Sequence, residues 1–210
     1  MNKPGKRVAD REKRMAKKNA RNTRGKIVSA AWKLFYEQGY EDTTVEEIIS
    51  LSGTSKGSFY HYFDGKDALL STLSSLFDEK YEELMEELTP EMTAMEQLLF
   101  LNQELFKMIE DSISLDLLAR LYSTQLTTSG EKHLLDHNRI YYKLLRKIIA
   151  RGRESGELSR ISGVSEMVKL YALCERALLY DWCLCAGEYS LVEYSGRVLP
   201  VFLSSFLPQK

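Results

Sequence analysis

From Thr43 to Leu70 the chain reads TTVEEIISLSGTSKGSFYHYFDGKDALL, which is a helix start, a short periodic run, a glycine, a second helix start and a second short run. Thr43 and Thr44 each have a glutamate three residues on, Glu46 and Glu47. Either pair fits the box in which a threonine hydroxyl and a glutamate carboxylate satisfy each other's orphan backbone donors at a helix N-terminus. Val45, Ile48, Ile49 and Leu51 behind that cap predict a short helix. Gly53 supplies a backbone conformation that side chains resist. Ser55 can cap a second helix from Lys56 to about His61, and Asp64-Gly65 is a turn. Two short helices around a glycine-containing turn are a helix-turn-helix.

The flanks are helical too. Ile27, Ala30, Ala31, Leu34 and Phe35 recur at helical spacing before Gly39. Asp67 opens a predicted long helix to about Leu88, with Leu70, Leu73, Phe77, Tyr81, Leu84 and Leu88 on one stripe and Pro90 at its end. Further helices are predicted over 91–111, 114–128, 131–155, 164–187 and 190–206, the last kinked or interrupted at Pro200. No alternating run is long enough for a strand. The expected fold is all-α: a three-helix head at 21–66 and a helical bundle body at 67–210. Residues 1–20 are too poor in apolar side chains to fold alone and read as a disordered or loosely helical arm.

Charge separates these parts. The net charge of −1 hides a +9 segment: residues 1–26 hold eleven Lys/Arg against Asp10 and Glu12, which leaves −10 on the rest. A basic arm on an acidic body points one end of the molecule at a polyanion. The helix-turn-helix suggests which polyanion, because the second helix of such a unit lies in the major groove of DNA. Ser55, Lys56, Ser58, Tyr60 and His61 offer hydroxyl, ammonium, phenol and imidazole groups to phosphates and bases, and Gly57 is small enough for close approach.

Other classes lack support. No apolar run of ~18 residues predicts a membrane span, and the basic N-terminus has no apolar segment of a secretory signal. Three cysteines, an odd number, do not suggest a disulfide framework, so a cytoplasmic setting is expected. No phosphate loop and no nucleophile with a nearby base is present, so neither an enzyme nor a bound cofactor is expected. His133 and His137 have a spacing that zinc can use, but two ligands do not make a structural site, and no metal is expected.

The stretch SGTSKGSFYHYFDGKDALL resembles the signature of the TetR (tetracycline-repressor) family of transcriptional regulators: a Gly turn, a Ser-capped recognition helix, a Tyr-x-Tyr-Phe run, then Lys and an apolar pair. The likeness runs from about Ile27 to Leu70. Ile49, Ser52 and Thr54 depart from the family's usual small or Val-like residues at the helix–helix contact. The resemblance implies phosphate contacts from Thr44, Tyr60 and Lys66, and base contacts from Ser55, Lys56, Gly57, Ser58 and His61. Arg21 and Arg24 of the arm would grip the backbone or enter the minor groove.

The body is expected to dimerise. The helix over 164–187 is apolar on nearly every face, with Val168, Tyr171, Leu178 and Trp182 on one side, and a helix apolar all round must be covered all round. A second chain is the natural cover, with Val198 and Phe202 of the next helix joining it. The resemblance implies that each subunit gives its last two helices to a four-helix interface. Such a homodimer would bind a near-palindromic operator in double-stranded DNA.

Phe106, Tyr122, Gln125, Tyr141, Tyr171 and Trp182 could line a pocket for an apolar or aromatic effector, although core packing would use the same residue types. Two readings follow: a repressor released from its operator by a small molecule, or an effector-free DNA-architectural or interaction protein whose body only dimerises. A body cavity of several hundred Å3 would favour the first. Cys174 and Cys185 share a helix face, as small buried apolar groups or as a thiol sensor.

Overall fold

A computed structural model of the chain describes residues 22–127, 129 and 132–208. The arm at 1–20 and Arg21 lie outside the described residues. The described residues are helical and turn, with no strand among them. Two compact units meet in sequence between Thr72 and Leu73, later than the boundary expected after residue 66.

In the first unit, α1 spans 22–38, followed by α2 (Val45–Ser52), α3 (Lys56–Tyr62) and α4 (Lys66–Leu70). Ile27, Ala31, Phe35, Ile48, Phe59, Phe63, Leu69 and Leu70 are buried and form its core. Aromatic rings interlock within it, Trp32 edge-on to Phe35 at 5.6 Å and Phe35 against Tyr40 at 5.0 Å. Of the two candidate boxes, Thr44 with Glu47 forms: Glu47 N donates to Thr44 Oγ1 at 3.2 Å and Thr44 N donates to Glu47 Oε2 at 2.7 Å. Thr43 is buried and donates its hydroxyl to Gly39 O at 2.7 Å. Gly53 ends α2 in the left-handed region, at φ 62°.

The second unit comprises α5 (Leu73–Glu87), α6 (Ala94–Ser112), α7 (Leu115–Thr127), α8 (Ile140–Ser155), α9 (Val164–Leu184) and α10 (Leu191–Leu203). α6 lies at its centre against α5, α8 and α10, while α9 packs on α7, α8 and α10. Leu98, Leu101, Phe106, Leu118, Leu145, Ile149, Tyr171 and Leu199 are buried at these contacts. Each such side chain removed from water contributes ~1.5–3 kcal/mol. α8 approaches the start of α6 so closely that a Cβ at Gly152 would stand 2.5 Å from Ala94 Cβ.

Three expectations change. The helix predicted over 67–88 is divided at Ser71 and Thr72, whose hydroxyls donate back to Ala68 O at 2.7 Å and Leu69 O at 2.6 Å. Such back-bonding competes with the helical ladder. The helix predicted over 131–155 begins only at Ile140, because a short 3-10 turn (His133–Leu135) and a bend in which Asn138 N donates to Asp136 Oδ1 precede it. His133 and His137 therefore do not share a helix. α10 runs on through Pro200, which has no N–H to offer the Gly196 carbonyl one turn earlier, and both residues are exposed.

Candidate nucleic-acid interface and body cavity

α3 presents one polar face. Phe59 is buried below it and Phe63 just beyond its end, whereas Lys56, Gly57, Tyr60 and His61 are exposed above. The spacing of these four places them on adjacent turns of one side. Ser55 caps the helix, its Oγ accepting from Ser58 N at 3.1 Å and sharing a hydrogen with Ser58 Oγ at 2.9 Å. A Cβ at Gly57 would meet only Ser55 Oγ, at 4.0 Å, so the surface there is open. Lys56 Nζ lies 3.4 Å from Glu46 Oε1 and over the Tyr60 ring. Both members of that ion pair are well exposed, so it is worth little and yields readily to a phosphate or base. Arg24 is exposed with its guanidinium 5.3 Å from the centre of the Phe63 ring.

Two of the residues implied as phosphate ligands are otherwise engaged. Thr44 Oγ1 is held in the capping box, with Glu47 Oε2 at 2.8 Å, and a carboxylate there opposes a phosphate. The hydrogen bonds from the Thr44 backbone and hydroxyl hold the Glu47 carboxyl below its ordinary pKa. Lys66 turns inward: its ammonium donates to Tyr40 O at 2.6 Å, Thr43 O at 2.9 Å and Glu41 O at 3.2 Å, and sits 4.3 Å from the Tyr40 ring centre. It ties down the loop between α1 and α2, and the hydroxyl of Tyr40 is hydrogen-bonded to Asp67. The departures at Ile49, Ser52 and Thr54 form a local set, Ser52 Oγ donating to Ile49 O at 3.1 Å and lying 2.8 Å from Thr54 Oγ1.

Within the second unit a cavity of about 50 Å3 opens among Phe106, Tyr122 and Tyr141, with Phe77, Leu105, Leu121 and Leu179 as further apolar walls. Three of the six residues expected to line a pocket meet there. Gln125 instead accepts from Leu134 N through Oε1 at 3.2 Å. Tyr171 is wholly buried with its hydroxyl on Leu98 O at 2.7 Å, and Trp182 donates to Tyr189 O at 2.9 Å, closing the turn after α9. A larger groove of about 500 Å3, lined by Met85, Ile140, Lys143 and Lys147, is open to solvent between α5 and α8.

The cavity also has polar walls: Glu175, which sequence reasoning offers as a polar pocket group, and Tyr81, Arg139 and Arg176, which it does not. Glu175 is buried and accepts from Asn102 Nδ2 at 2.9 Å and from Tyr141 OH at 2.7 Å. Burial pushes its pKa up, while the hydrogen bonds from Asn102 and Tyr141 and the charge of Arg176 pull the other way. Arg139 makes a two-pronged pair with Asp78, at 3.0 and 3.2 Å, and donates to Ser74 O at 2.9 Å. Arg176 donates to Tyr142 OH at 3.1 Å.

α9 also differs from its expected use. Val168, Tyr171, Leu178 and Trp182 are buried in the chain's own core. Leu173, Ala177, Tyr180 and Leu184 form the exposed face, with Leu184 67% exposed, and on α10 Val201 is 74% exposed. Val198 and Phe202 are half-buried. The expected interface residues on α9 thus point inward, because a helix apolar all round gives no local sign of which face meets its own fold. The cysteines are free and half-buried, and burial pushes the thiols of Cys174 and Cys183 up to about 11, away from reactive thiolate. Among the described residues no group of three or more His, Cys, Asp or Glu side chains is placed to hold a metal, and no helix is long and apolar enough to cross a membrane.

Residues 27–73 match the model of bacterial regulatory proteins of the tetR family. Over 182 residues the chain is 25% identical to the fatty acid metabolism regulator protein of Bacillus subtilis (strain 168), covering 85% of this chain and 92% of that protein. Two solved structures share its fold. The regulator FadR from Bacillus subtilis, in complex with stearoyl-CoA, superimposes with a TM-score of 0.66 at 24% identity, over 86% of this chain and 98% of that one. FadR from Thermus thermophilus, a repressor in complex with lauroyl-CoA, superimposes with a TM-score of 0.67 at 23% identity, over 89% and 96%.

Proposed function

The chain belongs to the TetR family of bacterial regulatory proteins, and on that premise we propose that it is a homodimeric repressor which leaves a near-palindromic operator when an apolar acyl effector, of the acyl-CoA kind, enters its body. It is a DNA-binding transcriptional regulator and not an enzyme. The observation that carries the reading is the exposed polar face of α3 over a buried aromatic base, the geometry of a helix that enters a major groove. Ser55, Lys56, Gly57, Ser58 and His61 are the base-reading set, and Tyr60 with Arg24 takes phosphates. This reading leaves Thr44 and Lys66 out of the phosphate set: the Glu47 carboxylate beside the Thr44 hydroxyl opposes a phosphate, and the Lys66 ammonium is turned to backbone carbonyls. The setting is the cytoplasm, where free cysteines persist.

An effector is favoured over a purely dimerising body by the acyl-CoA complexes of the relatives and by the polar groups facing the cavity. At about 50 Å3 the cavity holds no more than a water or two, against ~30 Å3 per water. A ligand therefore enters by displacing packed side chains, and its binding free energy must differ between the closed and opened bodies. A ligand that weakens operator binding tenfold must itself bind the operator complex tenfold more weakly, ~1.4 kcal/mol of coupling.

The test begins by capturing genomic DNA fragments with the purified chain and titrating the retained operator. With about six phosphates neutralised, log K is expected to fall with log[salt] at a slope of roughly −5, and lauroyl-CoA is expected to release the DNA. A flat salt dependence contradicts the DNA reading. A DNA affinity that no acyl-CoA or other apolar ligand alters leaves the effector-free architectural protein in its place.

Single substitutions divide the interface further. Lys56→Ala is expected to relax preference at one base pair, at a cost of ~1–3 kcal/mol on the preferred operator and little on random DNA. Tyr60→Phe is expected to weaken both alike. Equal loss on both DNAs for Lys56→Ala would place that residue on phosphate instead.

A further inference from the structure

Tyr81 is 2% exposed and lines the body cavity, yet its hydroxyl has no hydrogen-bond partner among the described residues. Its ring lies 5.1 Å from that of Tyr141, whose own hydroxyl is taken by Glu175. A buried phenol left unpaired is costly, and such groups in native proteins call for an explanation. The neighbouring buried tyrosines are satisfied: Tyr142 OH donates to Leu134 O at 3.0 Å, and Tyr171 OH donates to Leu98 O. Tyr81 thus brings a buried, unpartnered hydroxyl to a cavity whose walls include Phe77, Phe106 and Leu179.

Of the charged groups around that space, Arg139 is matched by Asp78, and Glu175 and Arg176 are of opposite sign, Arg176 donating to Tyr142 OH. An ionised carboxylate is costly to bury against apolar walls, whereas a neutral carbonyl needs only the one donor that Tyr81 can offer. From this geometry we infer that the Tyr81 hydroxyl is the polar anchor of the effector site, donating to a neutral carbonyl of the thioester or ester class rather than to a free carboxylate. The inference rests on the body being an effector site, as proposed above, and it names the chemistry at the ligand's polar end.

The experiment compares the full-length parent chain with Tyr81→Phe, using lauroyl-CoA, methyl laurate and laurate as probes. Without ligand, Tyr81→Phe is expected to unfold at the same temperature or slightly higher, because it removes a buried group that has no partner. Methyl laurate and lauroyl-CoA are each expected to bind the variant about tenfold more weakly, the worth of one lost hydrogen bond. Laurate is expected to bind the parent more weakly than methyl laurate, and to bind parent and variant alike. A variant that melts several degrees lower shows the hydroxyl to be a structural partner, and a variant that binds both neutral probes as tightly as the parent removes it from the site. Either result overturns the anchor. If lauroyl-CoA neither binds nor releases DNA while methyl laurate binds in a Tyr81-dependent way, the acyl-CoA reading falls and the anchor stands. If no probe binds the parent, both fall.

Discussion

A Leu184→Arg chain is expected to sediment as a monomer and to bind its operator at least about a hundredfold more weakly than the parent, ~2.8 kcal/mol. Leu173, Ala177, Tyr180 and Leu184 follow one another along α9 at intervals that hold them on a single side, and all are exposed. An apolar stripe of that kind marks an interaction surface. A second copy of the chain, related by a two-fold axis, would lay the same stripe against itself. An arginine at Leu184 places a charge in that seam, where only its desolvation or exclusion of the partner can follow. Because Leu184 is 67% exposed, the substitution leaves the chain's own core intact. Leu178→Arg differs: at 5% exposure that position is core, and the variant is expected to unfold rather than to dissociate cleanly. Loss of operator affinity follows from dissociation, because one recognition helix then engages one half-site without the other. Sedimentation of Leu184→Arg as a dimer with parental DNA affinity would remove α9 from the interface.

The contrast between Leu178 and Leu184 shows where sequence reading stops. Helix starts and the tight turn are written locally: Thr44 with Glu47, Gly53 and Ser55 each act on atoms within a few residues, so the helix-turn-helix is legible without knowledge of the fold. α9 is apolar on both sides, and only packing against α8 and α10 decides that Val168, Tyr171, Leu178 and Trp182 turn inward. The division between α4 and α5 is hidden for a related reason. The apolar stripe runs unbroken through Leu70, Leu73 and Phe77, and what interrupts the helix is hydroxyl chemistry at Ser71 and Thr72. The cavity was only partly legible. Phe106, Tyr122 and Tyr141 announce themselves as large aromatics and Glu175 as a charge on an apolar helix, whereas Tyr81, Arg139 and Arg176 stand far apart from Phe106 in the sequence and reach the cavity only through the packing of α5, α8 and α9.

Lys66→Met is expected to destabilise the DNA-free first unit by ~2–3 kcal/mol, which for a domain this small lowers its melting temperature by roughly 10 °C or more. The resemblance to the family assigns the lysine to a phosphate, but its ammonium faces the protein. Tyr40 O, Glu41 O and Thr43 O converge on it from a loop 23–26 residues earlier in the chain, and the Tyr40 ring covers it. These carbonyls follow α1, where the ladder of that helix can no longer satisfy them. A compact ammonium with three donors suits three converging oxygens, and methionine keeps the stem while removing every donor. The half-buried setting and the exposed Glu41 carbonyl hold the cost below three full charge-assisted bonds. Lys66→Arg separates the two roles. A planar guanidinium serves a phosphate as well as lysine does, but it cannot place its fork on this set of carbonyls without moving the loop. The arginine chain is therefore expected to lose much of the stability lost in Lys66→Met. Thermal unfolding of the parent and both variants without DNA gives the decision. Melting curves that coincide for all three, together with operator affinity lost in Lys66→Met and kept in Lys66→Arg, would return the residue to the phosphate backbone.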